Sequence, residues 1–235
     1  MKAIFSLIFF ITVLNCCAQE KPINLIDAVL NDLNINKTEC LTEFILEQKI
    51  SDYESIIFIP KIAEEDQEGM ILDAILLIVS NATGKINSKF SEKECWYSDA
   101  VRLSNIQVTY NPYLIHRSSE TIGILITYYG SSRVFPYSST ELTLFERKQD
   151  SINRVLVDYP IHTLNGDNDL NGKGDYVEIY KFIRPDIDYE MEFYDLIITD
   201  LKIETENHRG TERVIEKSEN KEILKYDNGE YKNAL

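Results

Sequence analysis

Apolar side chains recur at helical spacing near the start of the chain and in strand-like runs after it. Between residues 23 and 33 they fall three and four positions apart, as one face of an amphipathic helix requires. After a polar break at residues 34–37, Leu41 and Phe44 resume that spacing. We therefore predict one or two short N-terminal helices within residues 19–50.

From residue 51 to residue 235 the chain consists of short runs rich in Ile, Val, Tyr, Phe and Thr, separated by turn residues. Asn81–Gly84 and Asp227–Gly229 have the composition of hairpin turns. No segment alternates helix with strand, as a parallel sheet requires. The predicted fold is therefore mainly β (α+β). Antiparallel sheets of about nine to eleven strands form a sandwich or barrel after the N-terminal helices.

One run, Ile71–Val79, is almost entirely apolar and predicts a central strand buried on both faces. Asp73 interrupts it, and a buried carboxylate is costly unless it is hydrogen-bonded. We expect Asp73 to have a partner or to lie at the strand mouth, and Trp96 to pack in the core.

Residues 1–18 have the pattern of a secretory signal peptide. A basic start precedes the apolar run Ile4–Leu14, which is too short for a comfortable membrane span. Small residues then permit cleavage before Gln19. Alternatively, the sequence LNCC looks like a loose lipobox in which Cys17, or less favourably Cys16, carries lipid. We expect an extracytoplasmic protein (periplasm, outer membrane or secreted), with a lipid anchor as its one route to a membrane.

The processed chain keeps two cysteines, Cys40 and Cys95. In an oxidising compartment such a pair predicts a disulfide. The alternative is two separate buried thiols. No second Cys or His lies at zinc-ligand spacing, so neither cysteine indicates a zinc site.

The charge of the chain limits its partners. There are 39 acidic and 24 basic side chains, giving a net charge of −15, which argues against nucleic acid. The 44% apolar content is enough for one core and excludes a disordered chain.

Residues 167–178 read DNDLNGKGDYVE and fit the calcium-loop pattern D-x-[DN]-x-[DN]-G-x5-E. Calcium prefers about six to eight oxygen ligands, and this spacing folds alternate side chains onto one centre. The predicted ligands are Asp167, Asp169, Asn171, the Lys173 carbonyl, Asp175 and Glu178. The alternative is a metal-free acidic turn, since Asp, Asn and Gly are also turn formers.

This loop resembles the EF-hand-like D-x-D-x-N-G-x-x-D loops that join strands in exported β proteins, including the FG-GAP repeats of integrin-type propellers. The resemblance covers about twelve of 235 residues. In such loops the twelfth position is often not a ligand, which implies a lesser role for Glu178. Together with the lipobox-like start and the Ile/Asn/Lys/Tyr-rich composition, it makes the chain look like exported proteins of the Bacteroidota type.

Residues 128–140 combine four aromatic residues with four serines and one arginine in a turn-rich connection. Tyr and Ser form adaptable recognition surfaces, and an arginine binds a carboxylate through two hydrogen bonds. The predicted ligand or partner patch is Tyr128, Tyr129, Arg133 and Tyr137. The alternative is two strand ends whose tyrosines pack on the sheet.

Sequence motifs for catalysis are missing: the chain has no H-E-x-x-H, no G-x-S-x-G and no phosphate-binding loop. We therefore predict a non-catalytic exported protein that binds a protein or glycan ligand on the envelope side. One alternative is an acidic inhibitor or immunity-type protein for a basic partner. A hydrolase that uses paired carboxylates is the other.

Overall fold

The computed structural model describes residues 23–169, 173–208 and 211–234. One α-helix, α1 (Leu25–Asp32), precedes two single-turn 3-10 helices at Lys37–Glu39 and Thr42–Phe44. Twelve strands follow in these residues. They are β1 (Leu46–Lys49), β2 (Glu54–Glu65), β3 (Met70–Ser80), β4 (Ile86–Ser98), β5 (Val101–Tyr110), β6 (Glu120–Gly130), β7 (Tyr137–Lys148), β8 (Ser151–Asn168), β9 (Lys173–Asp186), β10 (Asp195–His208), β11 (Thr211–Asp227) and β12 (Glu230–Asn233).

The predicted mainly β, antiparallel fold is confirmed. Strands β1–β4 form one four-stranded sheet and β5–β12 an eight-stranded sheet, each with its strands in chain order. The sheets form a sandwich rather than a closed barrel. Between them Phe58 and Leu76 of the smaller sheet share one buried cluster with Ile122 and Ile124 of the larger.

Strand β3 lies between β2 and β4 and is buried on both faces, as predicted. Leu76 faces the core between the sheets, and Leu77 packs with the residues of α1 on the outer face. Asp73 has the partners that its burial demands. Its carboxylate lies 3.9 Å from the Lys61 ammonium and accepts a hydrogen bond from the backbone N–H of Glu94 at 2.9 Å.

Of the one or two predicted N-terminal helices, the structure has one α-helix, α1. The chain after α1 forms the two short 3-10 turns and then strand β1, which pairs with β2 through Leu46 and Phe58. Leu41 and Phe44 pack against the core between the sheets. Their three-residue spacing therefore reflects a single 3-10 turn, in which residues three apart lie on the same side.

The predicted Cys40–Cys95 disulfide is not formed, and both residues are free thiols. Cys40 is buried on the α1 side of the four-stranded sheet, with Ile57 and Leu77. Cys95 packs against the cluster on the opposite side, with Phe58. A sheet therefore separates the two sulfur atoms, which is the alternative of two separate buried thiols.

Both turns recognised in the sequence join neighbouring strands. Residues 81–85 connect β3 to β4, and Asn228 and Gly229 connect β11 to β12. The φ values of Asn228 and Gly229 are 49° and 97°, as a two-residue type I′ hairpin requires.

Candidate functional site

A groove of about 500 Å³ opens at the end of the sandwich, between β4 and the β6–β8 part of the larger sheet. Aromatic and acidic side chains dominate its lining. The nine lining residues are Cys95, Trp96, Tyr97, Asp99, Val101, Tyr128, Tyr137, Glu141 and Asp158. Among these nine, none is basic.

An irregularity in β4 carries Trp96 to the groove. Leu72 pairs with Trp96 and Ala74 with Glu92, so residues 93–95 stand opposite Asp73 alone. Glu94 adopts a φ of 52° within this bulge, and its N–H is held by Asp73. Bulges re-aim side chains next to functional sites. Here the bulge leaves Trp96 buried against Phe58, with ring centroids 5.4 Å apart.

A second bulge, in β8, carries Asp158. Val157 and Asp158 both stand opposite Thr143 of β7, and Asp158 has a φ of 40°. Aspartate tolerates this left-handed conformation better than most residues. The Thr143 hydroxyl stabilises the bulge through two hydrogen bonds with Asp158. Its hydroxyl donates to Asp158 Oδ1 at 2.9 Å and accepts the Asp158 N–H at 3.1 Å.

The two bulges meet across the sandwich. The indole Nε1–H of Trp96 donates to Oδ1 of Asp158 at 3.4 Å. Each of the two bulges that meet there thus contains one residue in a rare backbone conformation, Glu94 in β4 and Asp158 in β8. Backbone strain of this kind costs of the order of 1–3 kcal/mol per residue and clusters at functional sites.

A second carboxylate, Glu141 of β7, lies in the groove near Asp158. Its Oε1 accepts a hydrogen bond from the Ser139 hydroxyl at 3.1 Å. Burial, opposed by that hydrogen bond and reinforced by the negative charge of Asp158, raises the pKa of Glu141. Burial and the charge of Glu141 likewise raise the pKa of Tyr128.

Chemically, the groove offers aromatic surfaces beside hydrogen-bond acceptors. Tyr97 is 59% exposed, while Tyr128 and Tyr137 are half-buried, so the rings form a graded wall from solvent to core. Flat aromatic surfaces bind sugars, apolar groups and cations, and carboxylates select ligands that donate hydrogen bonds or carry positive charge.

The structure places only two of the four residues of the sequence-predicted patch in the groove. Tyr128 and Tyr137 line the groove. Tyr129 is 56% exposed and does not line it, because successive strand residues point to opposite faces. Arg133 is exposed in the loop between β6 and β7, where its backbone carbonyl accepts a hydrogen bond from the Asn168 side chain at 3.0 Å.

Sequence reasoning missed Glu141, Asp158 and the position of Trp96 in the groove. Nothing in the sequence distinguishes Glu141 and Asp158 from the other 37 acidic residues. Trp96 is buried, as the sequence analysis predicted. The bulges that aim Trp96 and Asp158 have no glycine at the positive-φ positions. They therefore gave no sequence signal.

The predicted calcium loop lies at the tip of the β8–β9 hairpin. Asp167 and Asp175 are cross-strand partners, so their side chains leave the same face of the hairpin. Asp169 closes the tip, with its N–H donating to the Lys173 carbonyl and its Oδ1 accepting the Lys173 N–H, both at 3.0 Å. Asn171 falls in residues 170–172, outside the described part of the chain.

Glu178, the sixth predicted ligand, lies further along β9 and is engaged elsewhere. Its Oε1 lies 2.8 Å from Nε2 of His162, and the His162 ring packs against Tyr180 with centroids 4.7 Å apart. Burial alone would raise the pKa of Glu178, but hydrogen bonds from Tyr180 and His162 leave it below its usual value. In residues 23–169, 173–208 and 211–234, no group of three or more His, Cys, Asp and Glu side chains is placed to hold a metal ion.

The loop between β6 and β7 contacts the end of β8, next to the predicted calcium loop. The Gly166 N–H donates to the Pro136 carbonyl at 2.8 Å, and the Asn168 N–H to the Val134 carbonyl at 2.7 Å. A Cβ on Gly166 would stand 2.6 Å from the Pro136 ring and 2.8 Å from Tyr176. The glycine therefore permits the loop to dock against β8, next to the groove residue Tyr137.

The buried histidine His116 is held by hydrogen bonds at both ring nitrogens. Its Nδ1 accepts the backbone N–H groups of Ser118 and Ser119, each at 3.0 Å, and its Nε2 lies 3.1 Å from Glu192 Oε1. Both ring nitrogens are thus engaged within the fold, which gives His116 a structural role.

Comparisons of the chain with protein-family models, with curated proteins and with solved structures found no match. None of the helices in the described part of the chain is long and apolar enough to cross a membrane.

Proposed function

We propose that this protein is an exported, non-catalytic binding protein whose ligand occupies the groove between Trp96 and Asp158. The observation that carries the proposal is the groove itself, in which three tyrosines and the tryptophan surround three carboxylates. Its ligand is a protein or a glycan on the envelope side. The signal-like residues 1–18 support export, although they lie outside the described residues.

Support for a recognition site comes from the way the lining is held. Asp158 is fixed by Thr143 and Trp96 before any ligand arrives, and Glu141 is held by Ser139. Groups held in place lose little conformational entropy on binding, so a larger part of each contact appears as affinity.

A hydrolase that uses paired carboxylates is the second candidate. One observation favours it: the pKa of Glu141 is raised beside a second carboxylate, Asp158, as a general acid and its partner require. We favour binding because Asp158 Oδ1 already accepts two hydrogen bonds, from Thr143 and Trp96, which lower its nucleophilicity.

The fluorescence of Trp96 tests the proposal directly, because Trp96 is the only tryptophan in the chain. A panel of peptides and oligosaccharides is titrated into the purified protein while the tryptophan emission is followed. We expect a saturable change with one ligand class, weakened in Tyr137→Ala. The exposed Tyr189, which does not line the groove, provides the matched control Tyr189→Ala.

Two results would overturn this proposal. The first is an emission spectrum that no peptide and no oligosaccharide changes. The second is turnover of aryl glycosides or oligosaccharides that Glu141→Gln abolishes, which would establish the hydrolase instead.

A further inference from the structure

The groove does not end at Tyr97. A second cavity of about 270 Å³ adjoins it and shares the residues Tyr97 and Asp99. Its other wall is formed by Glu64 near the end of β2, by Asp66 and Glu68 in the connection from β2 to β3, and by Met70 and Ile71 at the start of β3. The two cavities therefore meet at the exposed Tyr97 and at Asp99, at the end of β4.

The charge of this surface has one sign. Six of its lining residues are acids: Glu64, Asp66, Glu68, Asp99, Glu141 and Asp158. Among the lining residues of the two cavities, none is Lys, Arg or His. Within this surface Glu141 and Asp158 are close enough to repel each other, and a cation bound between them would relieve that repulsion.

The aromatic rings favour the same kind of ligand. The face of a Trp or Tyr ring attracts an ammonium or guanidinium group, and the attraction is stronger when the pair is removed from water. Tyr97, Tyr128 and Tyr137 stand in the lining beside Glu141 and Asp158. A cation in the groove therefore meets carboxylates and aromatic faces together.

We infer that the joined cavities bind a basic segment of a partner protein, with an arginine or lysine side chain in the groove between Glu141 and Asp158. The inference rests on the proposed function and specifies its ligand. A polypeptide fits better than a small amine because the second cavity adds apolar contacts at Met70 and Ile71 as well as further carboxylates. The net charge of −15 accelerates docking to a basic surface.

Gly69 maintains the shape of the second cavity. A Cβ at this position would stand 2.6 Å from the Ser98 carbonyl oxygen, so only glycine allows the β2–β3 connection to lie against the end of β4. Within that connection, Asp66 Oδ1 accepts the N–H groups of Glu68 and Gly69, at 2.8 and 3.0 Å. The carboxylate-bearing turn is therefore ordered next to Tyr97.

The test uses a short arginine-rich peptide and its citrulline counterpart, which keeps the size and planar shape of arginine but replaces one guanidinium nitrogen with a carbonyl oxygen and carries no charge. Trp96 emission reports binding. We expect the arginine peptide to bind at least about tenfold more tightly than the citrulline peptide, and its affinity to fall as salt is added. Spermidine, a free polyamine, should bind more weakly than the arginine peptide.

Matched variants locate the effect. The double variant Glu141→Gln with Asp158→Asn should weaken binding by about tenfold or more, and Glu64→Gln with Glu68→Gln by a smaller factor. The control double variant Glu43→Gln with Glu219→Gln changes the net charge equally at two exposed positions outside both cavities, and it should bind like the parent. Thermal unfolding of each variant establishes that it is folded.

The outcomes separate this inference from the proposed function. If the citrulline peptide, a neutral oligosaccharide or spermidine binds the groove as tightly as the arginine peptide, the basic-segment inference fails and the binding function stands. Equal weakening in the control variant would also overturn the inference, since net charge alone would then explain binding. If no probe changes the Trp96 emission, both fail.

Discussion

The indole of Trp96 in the four-stranded sheet donates its Nε1–H to the carboxylate of Asp158 in the eight-stranded sheet. This contact joins two β-bulges from opposite layers of the sandwich. It places a ring and a charge side by side at the mouth of the groove. The same pair therefore contributes to sheet docking and to the candidate binding site.

Removing the acceptor at Asp158 should destabilise the fold. In Asp158→Ala the Thr143 hydroxyl loses its partner and alanine is forced to a φ of 40°, so we expect a loss of about 1–3 kcal/mol in the free energy of unfolding. Asp158→Asn keeps an acceptor and tolerates the conformation, so it should lose less than about 1 kcal/mol. Urea unfolding followed by Trp96 emission measures both, and equal losses would contradict this account.

The raised pKa of Glu141 predicts a pH-dependent stability difference. The folded protein holds this proton to a higher pH than the unfolded chain does. The free energy of unfolding therefore falls as pH rises from the usual carboxyl pKa through the raised one. Glu141→Gln removes this penalty, so at neutral pH it should be more stable than the parent. The gain should stay below about 1 kcal/mol, because solvent screens a half-exposed group.

The measurement is the difference between the unfolding free energies of Glu141→Gln and the parent at each pH. The difference is needed because Glu178 and Glu222, whose pKa values are lowered, give the parent curve the opposite slope. A difference that does not grow with pH would contradict the prediction.

Calcium binding at the β8–β9 tip remains a prediction. Asp167 and Asp175 face each other across the hairpin, so a divalent cation between them should stabilise the fold. The gain is about 2.7 kcal/mol when free calcium is about a hundred times its dissociation constant, and less for weaker binding. Thermal unfolding with calcium and with chelator, at matched ionic strength, should show an upward shift that Asp167→Asn with Asp175→Asn abolishes.

Glu178→Gln is the control for that experiment. Because Glu178 pairs with His162, its loss should lower stability equally with and without calcium and leave the calcium shift unchanged. If the parent shows no shift and the double variant is simply more stable, the tip is an acidic turn without a metal.

Both cysteines should titrate as free, slowly reacting thiols. Burial raises the pKa of Cys40, and burial together with the charge of Glu92 raises the pKa of Cys95 to about 12. The thiolate is the reactive form, so alkylation of the native protein at neutral pH should be slow. After denaturation without reductant, mass spectrometry should find both residues alkylated. A disulfide-linked peptide pair would contradict this.

Export predicts a processed N-terminus. Mass spectrometry of the protein made in a bacterium with an outer membrane should find the chain beginning at Gln19, or at Cys17 or Cys16 with lipid attached. An intact Met1 on protein recovered from the cytoplasm would contradict export.

Most of the fold prediction rested on the positions of apolar residues within the strand-like runs. The apolar run at Ile71–Val79 indicated a strand buried on both faces because its apolar residues occupy both odd and even positions. Odd and even positions of a strand point to opposite faces of the sheet. The segment around Leu41 and Phe44 resembled a second helix in the sequence because residues three apart share one side of a 3-10 turn, as they do at the start of an α-helix. The Cys40–Cys95 disulfide was predicted wrongly because the sequence does not show which face of a sheet a residue occupies after a bulge.

The candidate site was only partly predictable. Tyr128 and Tyr137 stood out because aromatic residues and serines cluster between two strands. Glu141 and Asp158 did not, since their proximity depends on a bulge held by the Thr143 hydroxyl. Such a bulge is set by long-range packing rather than by local residue preference.

Every strand in both sheets pairs with its neighbour in the chain. Each loop that must close to extend a sheet is therefore a hairpin, which keeps the entropy cost of each step small for a β protein of this size. The contact between β4 and β8, in contrast, joins strands of different sheets and is not supplied by any hairpin. It brings Trp96 to Asp158 and creates the groove.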